Sequence, residues 1–166
     1  MKKLLCAIAM LATCATASAN IVANGDFSSG GTGWTLTGNT GWVGFNNDWT
    51  DGAVGSDAWL NQIIGTVAGA TYSISFDTEI TWGSMAVALN GTQVFSTSTT
   101  GHYDFSFVAP SDNATLSFIT RNDPSFNHLD NVAVEQTGGV VPEPASLALL
   151  GLGLAGLGAV RRKRQG

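Results

Sequence analysis

Residues 72–77, Tyr-Ser-Ile-Ser-Phe-Asp, decide the fold class of this chain, because apolar and polar side chains alternate along them without a break. Side chains in a β-strand point to opposite faces in turn, so this pattern predicts a strand with one buried and one exposed face. The same alternation recurs through the middle of the chain, and Asn90-Gly91 is typical of a two-residue hairpin turn. The other predicted strands lie at residues 21–23, 34–36, 59–64, 85–89, 93–95, 103–107, 116–118 and 132–134. No helical periodicity interrupts them, and eight or nine short strands predict an all-β, antiparallel sandwich.

The basic residues are concentrated at the two ends of the chain. Residues 20–141 keep a single cation, Arg121, against eleven of the twelve carboxylates, since only Glu143 lies outside them, so their net charge is 1 − 11 = −10. So acidic a domain is unsuited to nucleic acid, whose phosphates need lysine and arginine, and is suited to binding a divalent cation. Both cysteines, Cys6 and Cys14, precede this span, so its stability must come from a packed core without disulfides.

The first 19 residues have the three parts of a secretory signal peptide. Met1-Lys2-Lys3 is basic, residues 4–12 are apolar, and Ala17-Ser18-Ala19 supplies the small residues before the cleavage site. We therefore predict a signal peptide at residues 1–19. The alternative is a lipoprotein modified at Cys14, although threonine is a poor residue immediately before a lipidated cysteine.

The last residues form a second unit with three parts. Residues 138–144 are a linker that ends in Pro142-Glu143-Pro144, and the prolines exclude a continuous helix there. Residues 145–160 are apolar or small and uncharged, so we predict a transmembrane helix of roughly 24 Å, at about 1.5 Å per residue. Residues 161–166 are a basic end, which the positive-inside rule places in the cytoplasm. Its cations are Arg161, Arg162, Lys163 and Arg164.

This order of a Pro-Glu-Pro motif, an apolar helix and a basic end resembles the C-terminal sorting signal of PEP-CTERM proteins. The resemblance implies export in a Gram-negative bacterium, with transient anchoring in the inner membrane. It further implies that an exosortase, a membrane-embedded protease, cuts near the motif and passes the protein to the cell surface or the extracellular polysaccharide matrix. The alternative is an ordinary C-terminal membrane anchor.

Three segments of the middle of the chain form a second set. They are Asn24-Gly25-Asp26-Phe27 with Gly33-Trp34 at the opening, residues 68–77, and residues 129–134 at the close. Together they are similar to galactose-binding-like jelly rolls, which include carbohydrate-binding modules. The resemblance implies a jelly roll over residues 20–137, although this fold does not by itself fix a ligand.

The same resemblance implies a structural Ca²⁺ where the opening loop meets the closing strand. Matched residue by residue, its ligands are Asn24, Asp26 and Asp130, and calcium prefers hard oxygen ligands of this kind. Such jelly rolls commonly carry glutamate after the opening aromatic residue, where this chain has Ser28. The alternative is that Asp26 caps a turn and Asp130 faces solvent.

Five tryptophans are more than the core of a small domain needs. Trp34 and Trp59 lie in predicted strands, and we assign them to the core. Trp42, Trp49 and Trp82 lie among glycine, asparagine and aspartate in stretches typical of loops, where an indole can stack on a sugar ring. We predict these three as ligand-binding residues. The alternative is that they cover the ends of the sandwich and bind nothing.

A further candidate is the stretch from Arg121 to His128. Asp123-Pro124 is a turn signal, and Arg121, as the only cation of the domain, is expected to pair with a neighbouring carboxylate. As a binding loop, the stretch would bring Asn122 and Asp123 beside a ligand, together with His128. The pattern favours the alternative, a structural turn.

The sequence carries no catalytic motif. It has no Gly-x-Ser-x-Gly elbow, and His102 and His128 lack the spacing of zinc ligands. A glycosidase pair would have to be Glu79 and Glu135. We therefore predict a non-catalytic protein that associates with extracellular polysaccharide, and its rival is a structural surface or matrix protein without specific sugar binding.

Replacing Pro142, Glu143 and Pro144 together with alanine tests the sorting prediction. An exosortase that needs the motif cannot process this variant, so we expect it to stay membrane-bound at its unprocessed size. Fractionation and immunoblotting of cells that express the variant or the unaltered protein measure this. Normal release of the variant would instead favour a simple anchor or another protease.

Overall fold

The computed structural model describes residues 19–138; the predicted transmembrane helix, the sorting motif and most of the signal peptide lie outside these residues. Within residues 19–138 the secondary structure is entirely strands and turns, with no helix that could cross a membrane. The strands are β1 (Thr35–Gly38), β2 (Val43–Phe45), β3 (Trp49–Asp51), β4 (Ala58–Gly65), β5 (Thr71–Ile80), β6 (Ser84–Leu89), β7 (Thr92–Thr97), β8 (Gly101–Val108), β9 (Asn113–Arg121) and β10 (Asn127–Gly138).

These strands form two five-stranded sheets. Sheet A has the order β1-β4-β9-β6-β7, and sheet B has the order β2-β3-β10-β5-β8. Every pairing is antiparallel. Most neighbours are distant in sequence and the chain crosses repeatedly between the sheets, as in a jelly roll. The predicted all-β, antiparallel jelly-roll sandwich is confirmed.

Strand β5 shows how the alternation builds the core. Tyr72, Ile74 and Phe76 are buried, whereas the residues between them are only partly covered. The Phe76 ring meets the Phe118 ring of sheet A edge to face, with 5.2 Å between the ring centroids. The apolar side chains of both sheets therefore form one core, which stabilises a domain that has no cysteine to form disulfides.

The strand predictions miss β2 and β3 and include one segment that forms no strand. Strands β2 and β3 have three residues each, too few for alternation to be recognised. They are held by pairing: β2 pairs with β3, and β3 pairs in turn with β10. Residues 21–23 form no strand, although the Ile21 N–H donates to the Val134 carbonyl of β10 (2.9 Å).

The two tryptophans assigned to the core differ in the structure. Trp34 is buried as predicted. Trp59 is only partly buried and lies on the outer face of sheet A, so its assignment to the core is wrong. The reason is the phase of β4, since Ala58 and Leu60 on either side of Trp59 are fully buried.

The opening loop closes on the last strand at Gly25. Val132 of β10 donates its N–H to the Gly25 carbonyl (2.9 Å). A Cβ at position 25 would overlap the Val132 carbonyl, so only glycine permits this approach. The two ends of the domain are joined here.

The sandwich has two ends, which we name by what lies there. At the rim end, Ile80 of β5 pairs with Asn127 of β10. At the exit end, Thr71 of β5 lies between Gly138 of β10 and Val108 of β8. At about 3.3 Å per residue, the length of β5 separates the two ends by roughly 30 Å. The described chain therefore leaves the domain at the end opposite to the rim.

Candidate functional site

Three exposed aromatic side chains lie at the rim end. Trp42 precedes β2, Phe126 precedes β10, and Trp82 follows β5 by two residues. Their exposed fractions are 68% for Trp42, 47% for Phe126 and 62% for Trp82. We call these three residues the aromatic rim. Strands β2 and β5 are three spacings apart in sheet B, and adjacent strands are about 4.8 Å apart, so the rim extends over roughly 14 Å.

Small residues hold the aromatic rim against the backbone. A Cβ at Gly52 would lie 2.6 Å from the Phe126 ring and 3.3 Å from the Trp42 Cβ, so both side chains cover this glycine. Gly83 (φ +80°) packs against the Arg121 carbonyl and so holds the turn that carries Trp82. Trp42 and Trp82 lie in loops, as the sequence indicated. Phe126 was not predicted, and its available signal was an aromatic residue just after the Asp-Pro turn.

The loop before β10 is a structural turn, as the sequence pattern favoured. Asp123 accepts hydrogen bonds from the Gly55 N–H (2.8 Å) and from Arg121 Nε (3.0 Å), which confirms the predicted pairing of Arg121. The hydrogen bond from the Gly55 N–H has the largest effect and that from Arg121 the next. Together they hold the pKa of Asp123 below its usual value. Asn122 is fully buried and accepts from the Ser125 N–H (3.0 Å), so its prediction as a ligand-binding residue is wrong.

The loop-like context of Trp49 was misleading. Trp49 lies on β3 with no exposed surface, so it cannot stack on a sugar, and its prediction as a ligand-binding residue is wrong. The cause is the pairing of β3 with β10, which sets Trp49 opposite the buried Leu129. His128, one residue earlier, faces outward instead, so the structure does not bring it together with Asn122.

A buried carboxyl group lies just inside the rim end. Asp51 of β3 has no exposed surface, and its Oδ1 accepts a hydrogen bond from the Ala53 N–H (3.2 Å). Its Oδ2 accepts from the hydroxyl of Thr120 in β9, which links the two sheets. Burial raises the pKa of Asp51 above its usual value, and these hydrogen bonds oppose the shift.

The outer face of sheet B carries a groove of about 370 Å³ that the sequence did not reveal, because its residues come from several strands. His128 Nδ1 donates to Asp48 Oδ2 (2.6 Å), and His102 Nδ1 donates to Asp77 Oδ1 (2.6 Å). The hydrogen bond from Asn131, and then that from His102, lowers the pKa of Asp77. We call this surface the acidic groove. Its lining residues are Asp48, Asp77, Thr78, Glu79, Thr100, Gly101, His128, Leu129 and Asp130.

The three predicted calcium ligands do not form a complete set of ligands for a cation. The Asn24 amide is used within the opening loop, where it donates to the Gly30 and Thr32 carbonyls (2.7 and 2.9 Å). Asp26 Oδ1 accepts from the N–H and the hydroxyl of Ser28, which caps a turn. Within residues 19–138, no three His, Cys, Asp or Glu side chains lie close enough together to hold a metal ion. Asn24 therefore does not fit as a side-chain ligand.

Asp130, the third predicted calcium ligand, lies among other carboxylates. It is half-buried at a bulge in β10, and burial raises its pKa. The neighbouring carboxylates of Asp48, Asp77 and Asp26, in that order, raise it further. The carboxylate of Asp26 in the opening loop thus adds to the repulsion on Asp130 in the closing strand.

The two glutamates considered as a glycosidase pair are far apart. Glu79 of β5 lies opposite His128 of β10. Glu135 of β10 lies opposite Ser73, which precedes Glu79 by six residues in β5. At about 3.3 Å per residue they are separated by roughly 20 Å. Paired glycosidase carboxylates lie within about 10 Å of each other, so Glu79 and Glu135 do not form such a pair.

The fold places this domain among jelly rolls of the kind found in carbohydrate-binding modules. It is similar to TmCBM61 in complex with beta-1,4-galactotriose, with 15% identity and a TM-score of 0.58 over 72% of this chain and 99% of that chain. It is also similar to the N-terminal cellulose-binding domain from Cellulomonas fimi β-1,4-glucanase C, with 19% identity and a TM-score of 0.52 over 74% of this chain and 100% of that chain. At these identities the likeness concerns the fold alone.

A similar unit occurs in the enzymatically active domain of bacteriophage CBA120 tailspike protein 4. The identity is 19% and the TM-score 0.56 over 70% of this chain, but the match covers only 21% of that chain. This protein therefore spans about a fifth of the tailspike structure that it resembles.

Residues 140–164 match the PEP-CTERM protein-sorting motif. The match confirms the predicted sorting signal and indicates an exported protein that carries this signal at its C-terminal end. No curated protein sequence gives a significant match to the chain.

Replacing Asp51 with asparagine tests the cost of burying this carboxyl. The amide can accept from the Ala53 N–H and donate to Thr120, so both bonds persist without the charge. Because the folded-state pKa is raised, stability is lost as the pH rises through that pKa, and the loss is absent below the ordinary value of 3.8. We therefore expect Asp51→Asn to melt above the unaltered protein at neutral pH, with a difference that shrinks on acidification.

Thermal melts at several pH values measure this difference, and Asp57→Asn, on an exposed loop, is the control. A difference that does not change with pH, or a lower melting temperature of Asp51→Asn at neutral pH, would contradict the prediction.

Proposed function

We propose that this protein is sorted to the cell surface by an exosortase and there binds extracellular polysaccharide through its aromatic rim, without catalysis. The observation that carries the proposal is the exposure of Trp42 and Trp82, each by more than 60%, on one end of a rigid sandwich together with Phe126. Flat aromatic faces beside hydroxyl and amide groups suit the recognition of sugar rings.

The position of the aromatic rim supports this proposal. The chain leaves the domain at Gly138, roughly 30 Å from the rim end at the strand rise of about 3.3 Å. While the tail holds the protein in the inner membrane, the rim can therefore face away from the bilayer. After release, the same end is available to the polysaccharide matrix.

Two structures with a similar fold also support a sugar ligand. One is a complex with beta-1,4-galactotriose and the other is a cellulose-binding domain. We transfer from them the class of ligand, a polysaccharide, and not a particular sugar. The separation of Glu79 and Glu135 supports the proposal that the domain has no glycosidase activity.

A second candidate function is a structural surface or matrix protein that acts by self-association. One observation favours it: the five strands of sheet A contain a single charged residue, Arg121 at the end of β9. Two copies of so acidic a domain can approach through this sheet with the least repulsion between like charges.

Alanine substitutions at Trp42 and Trp82 test the rim. Truncating a tryptophan at the centre of a binding site costs about 2 kcal/mol or more, so we expect each variant to bind the organism's own exopolysaccharide more than about tenfold more weakly. Affinity electrophoresis or calorimetry with the purified polysaccharide measures this. Trp59→Ala, which removes an indole from the outer face of sheet A, is the matched control and should bind normally.

Unchanged binding of both rim variants would show that the rim is not the site. If the unaltered protein ignores the polysaccharide but polymerises when pure, the structural function is favoured.

We further propose that Ca²⁺ binds between Asp26 and Asp130 and joins the opening loop to the closing strand. The support is the repulsion that Asp48, Asp77 and Asp26 exert on Asp130, the approach of Val132 to Gly25 beside them, and the net charge of −10 over residues 20–141. Calcium bound there would supply charge neutralisation at the junction of the two ends.

Removing calcium with EDTA tests this proposal. A ligand at a hundredfold excess over its Kd stabilises the folded state by about 2.7 kcal/mol, so we expect the melting temperature to fall by several degrees. Asp130→Ala should remove the difference between calcium and EDTA, whereas Asp104→Ala, elsewhere on sheet B, should keep it. Identical melting curves with and without EDTA, together with no calcium by elemental analysis, would exclude the site.

A further inference from the structure

The outer face of sheet A carries a group of apolar side chains. Ile63 of β4 is 75% exposed, and Trp59 on the same strand is partly exposed. Trp59 lies opposite Ile119 of β9, which in turn lies opposite Ala86 of β6, so an apolar row crosses three strands. Each of these four residues has a buried residue on either side of it in its strand, so its own side chain points away from the core.

The polar groups of this face are already paired within the sheet. The Ser117 hydroxyl donates to Asn61 Oδ1 (2.7 Å). Asn61 Nδ2 in turn donates to the Thr37 hydroxyl (3.0 Å) and to the Thr35 carbonyl (3.2 Å). Burying a polar group is costly chiefly when its hydrogen bonds are lost. A partner can therefore cover this face without leaving these groups unpaired.

The composition of the face is that of a protein interface. Interface cores are depleted in lysine, glutamate and aspartate and enriched in aromatic residues. The strands of sheet A contain none of those three charged residue types. The outer face of sheet B instead carries five carboxylates within its strands. An indole and two isoleucines on adjacent strands of an uncharged sheet thus mark sheet A as an interaction surface.

We propose that two copies of this protein pair through the outer faces of sheet A, in a two-fold dimer. In a two-fold interface the same patch faces itself, so a charged group near the axis meets a like charge. Sheet B would set five carboxylates against five, whereas sheet A has only Arg121, which lies at its rim end and is paired with Asp123. Since residues 20–141 have a net charge of −10, the repulsion between two copies favours sheet A.

The size of the face sets the strength of the dimer. Five strands about 4.8 Å apart make it roughly 19 Å wide, and the eight residues of β4 at about 3.3 Å each make it roughly 26 Å long. Two such faces together cover roughly 1,000 Å², which is the lower limit for a specific protein interface. We therefore expect a weak dimer that dissociates on dilution.

The small residues of the face suit a second sheet. Two sheets that pack face to face lie about 10 Å apart, with their strands within about 30° of each other. Ser117 is the middle residue of β9, which is the middle strand of sheet A, and Ala86 lies on the next strand. Both side chains are short enough to permit this approach.

The aromatic rim stays open in this dimer. Trp42 and Phe126 precede strands of sheet B, and Trp82 lies beyond the end of β5, so none of them belongs to the paired face. The affinity of each rim for a sugar should therefore not depend on pairing. The inference rests on the second candidate function, self-association, and does not require the rim to bind sugar.

Sedimentation equilibrium of the full-length chain in detergent, over a range of protein concentrations, tests the proposal. Ile63→Asp makes the domain more negative and Ile63→Lys makes it less negative, but each buries an unpaired charge in the paired face. We expect both variants to weaken dimerisation at least about tenfold. Val108→Asp and Val108→Lys make the same changes at a valine of sheet B that is 61% exposed, and these controls should dimerise within about twofold of the unaltered chain.

Three results would overturn the proposal. One is a chain that stays monomeric at every concentration. Another is a dimer that the Ile63 variants leave unchanged, which would assign association to the apolar C-terminal segment, since all variants share it. The third is stronger association of both lysine variants and weaker association of both aspartate variants, whatever the position, because net charge alone would then govern it.

Chemical cross-linking gives a second measurement, should a charge at position 63 impair folding. Cys6 and Cys14 are replaced by alanine, and a single cysteine is placed as Ile63→Cys or, for the control, as Val108→Cys. We expect a short bismaleimide to join two copies through position 63 several-fold faster than through position 108. Equal or slower cross-linking through position 63 would contradict pairing through sheet A.

Discussion

The rest of this structure depends on the pairing register of β10. This strand pairs with β5 along its length and with β3 at its start, and its carbonyl and N–H groups also hold Ile21 and Gly25 of the opening segment. A shift of one residue would turn Leu129 and Val134 outward and Asp130 into the core. Since its first residue lies at the rim end and its last at the exit end, the same register fixes the acidic groove and the point at which the tail begins.

The acidity of the domain is distributed unevenly between its two sheets. The outward side chains of sheet B include five carboxylates within strands, and sheet A has none in its strands. These carboxylates are Asp77, Glu79, Asp104, Asp130 and Glu135. His102 and His128 each donate to an aspartate on this face, which offsets part of the repulsion. An acidic partner, such as a second copy of the domain, therefore meets the least electrostatic repulsion at sheet A, whereas a cation is favoured at sheet B.

The local sequence pattern was enough to predict the long strands. It failed where pairing between residues distant in sequence determines which side chains are buried. Strand β5 is long enough for its alternation to reveal its inner face, but the three residues of β3 are not. Trp42 and Trp49 stand in similar sequence contexts, yet one is largely exposed and the other fully buried. Only the pairing of β3 with β10 separates them, and it joins residues nearly 80 positions apart. The rim as a set and the acidic groove were unpredictable for the same reason, since each is assembled from several strands.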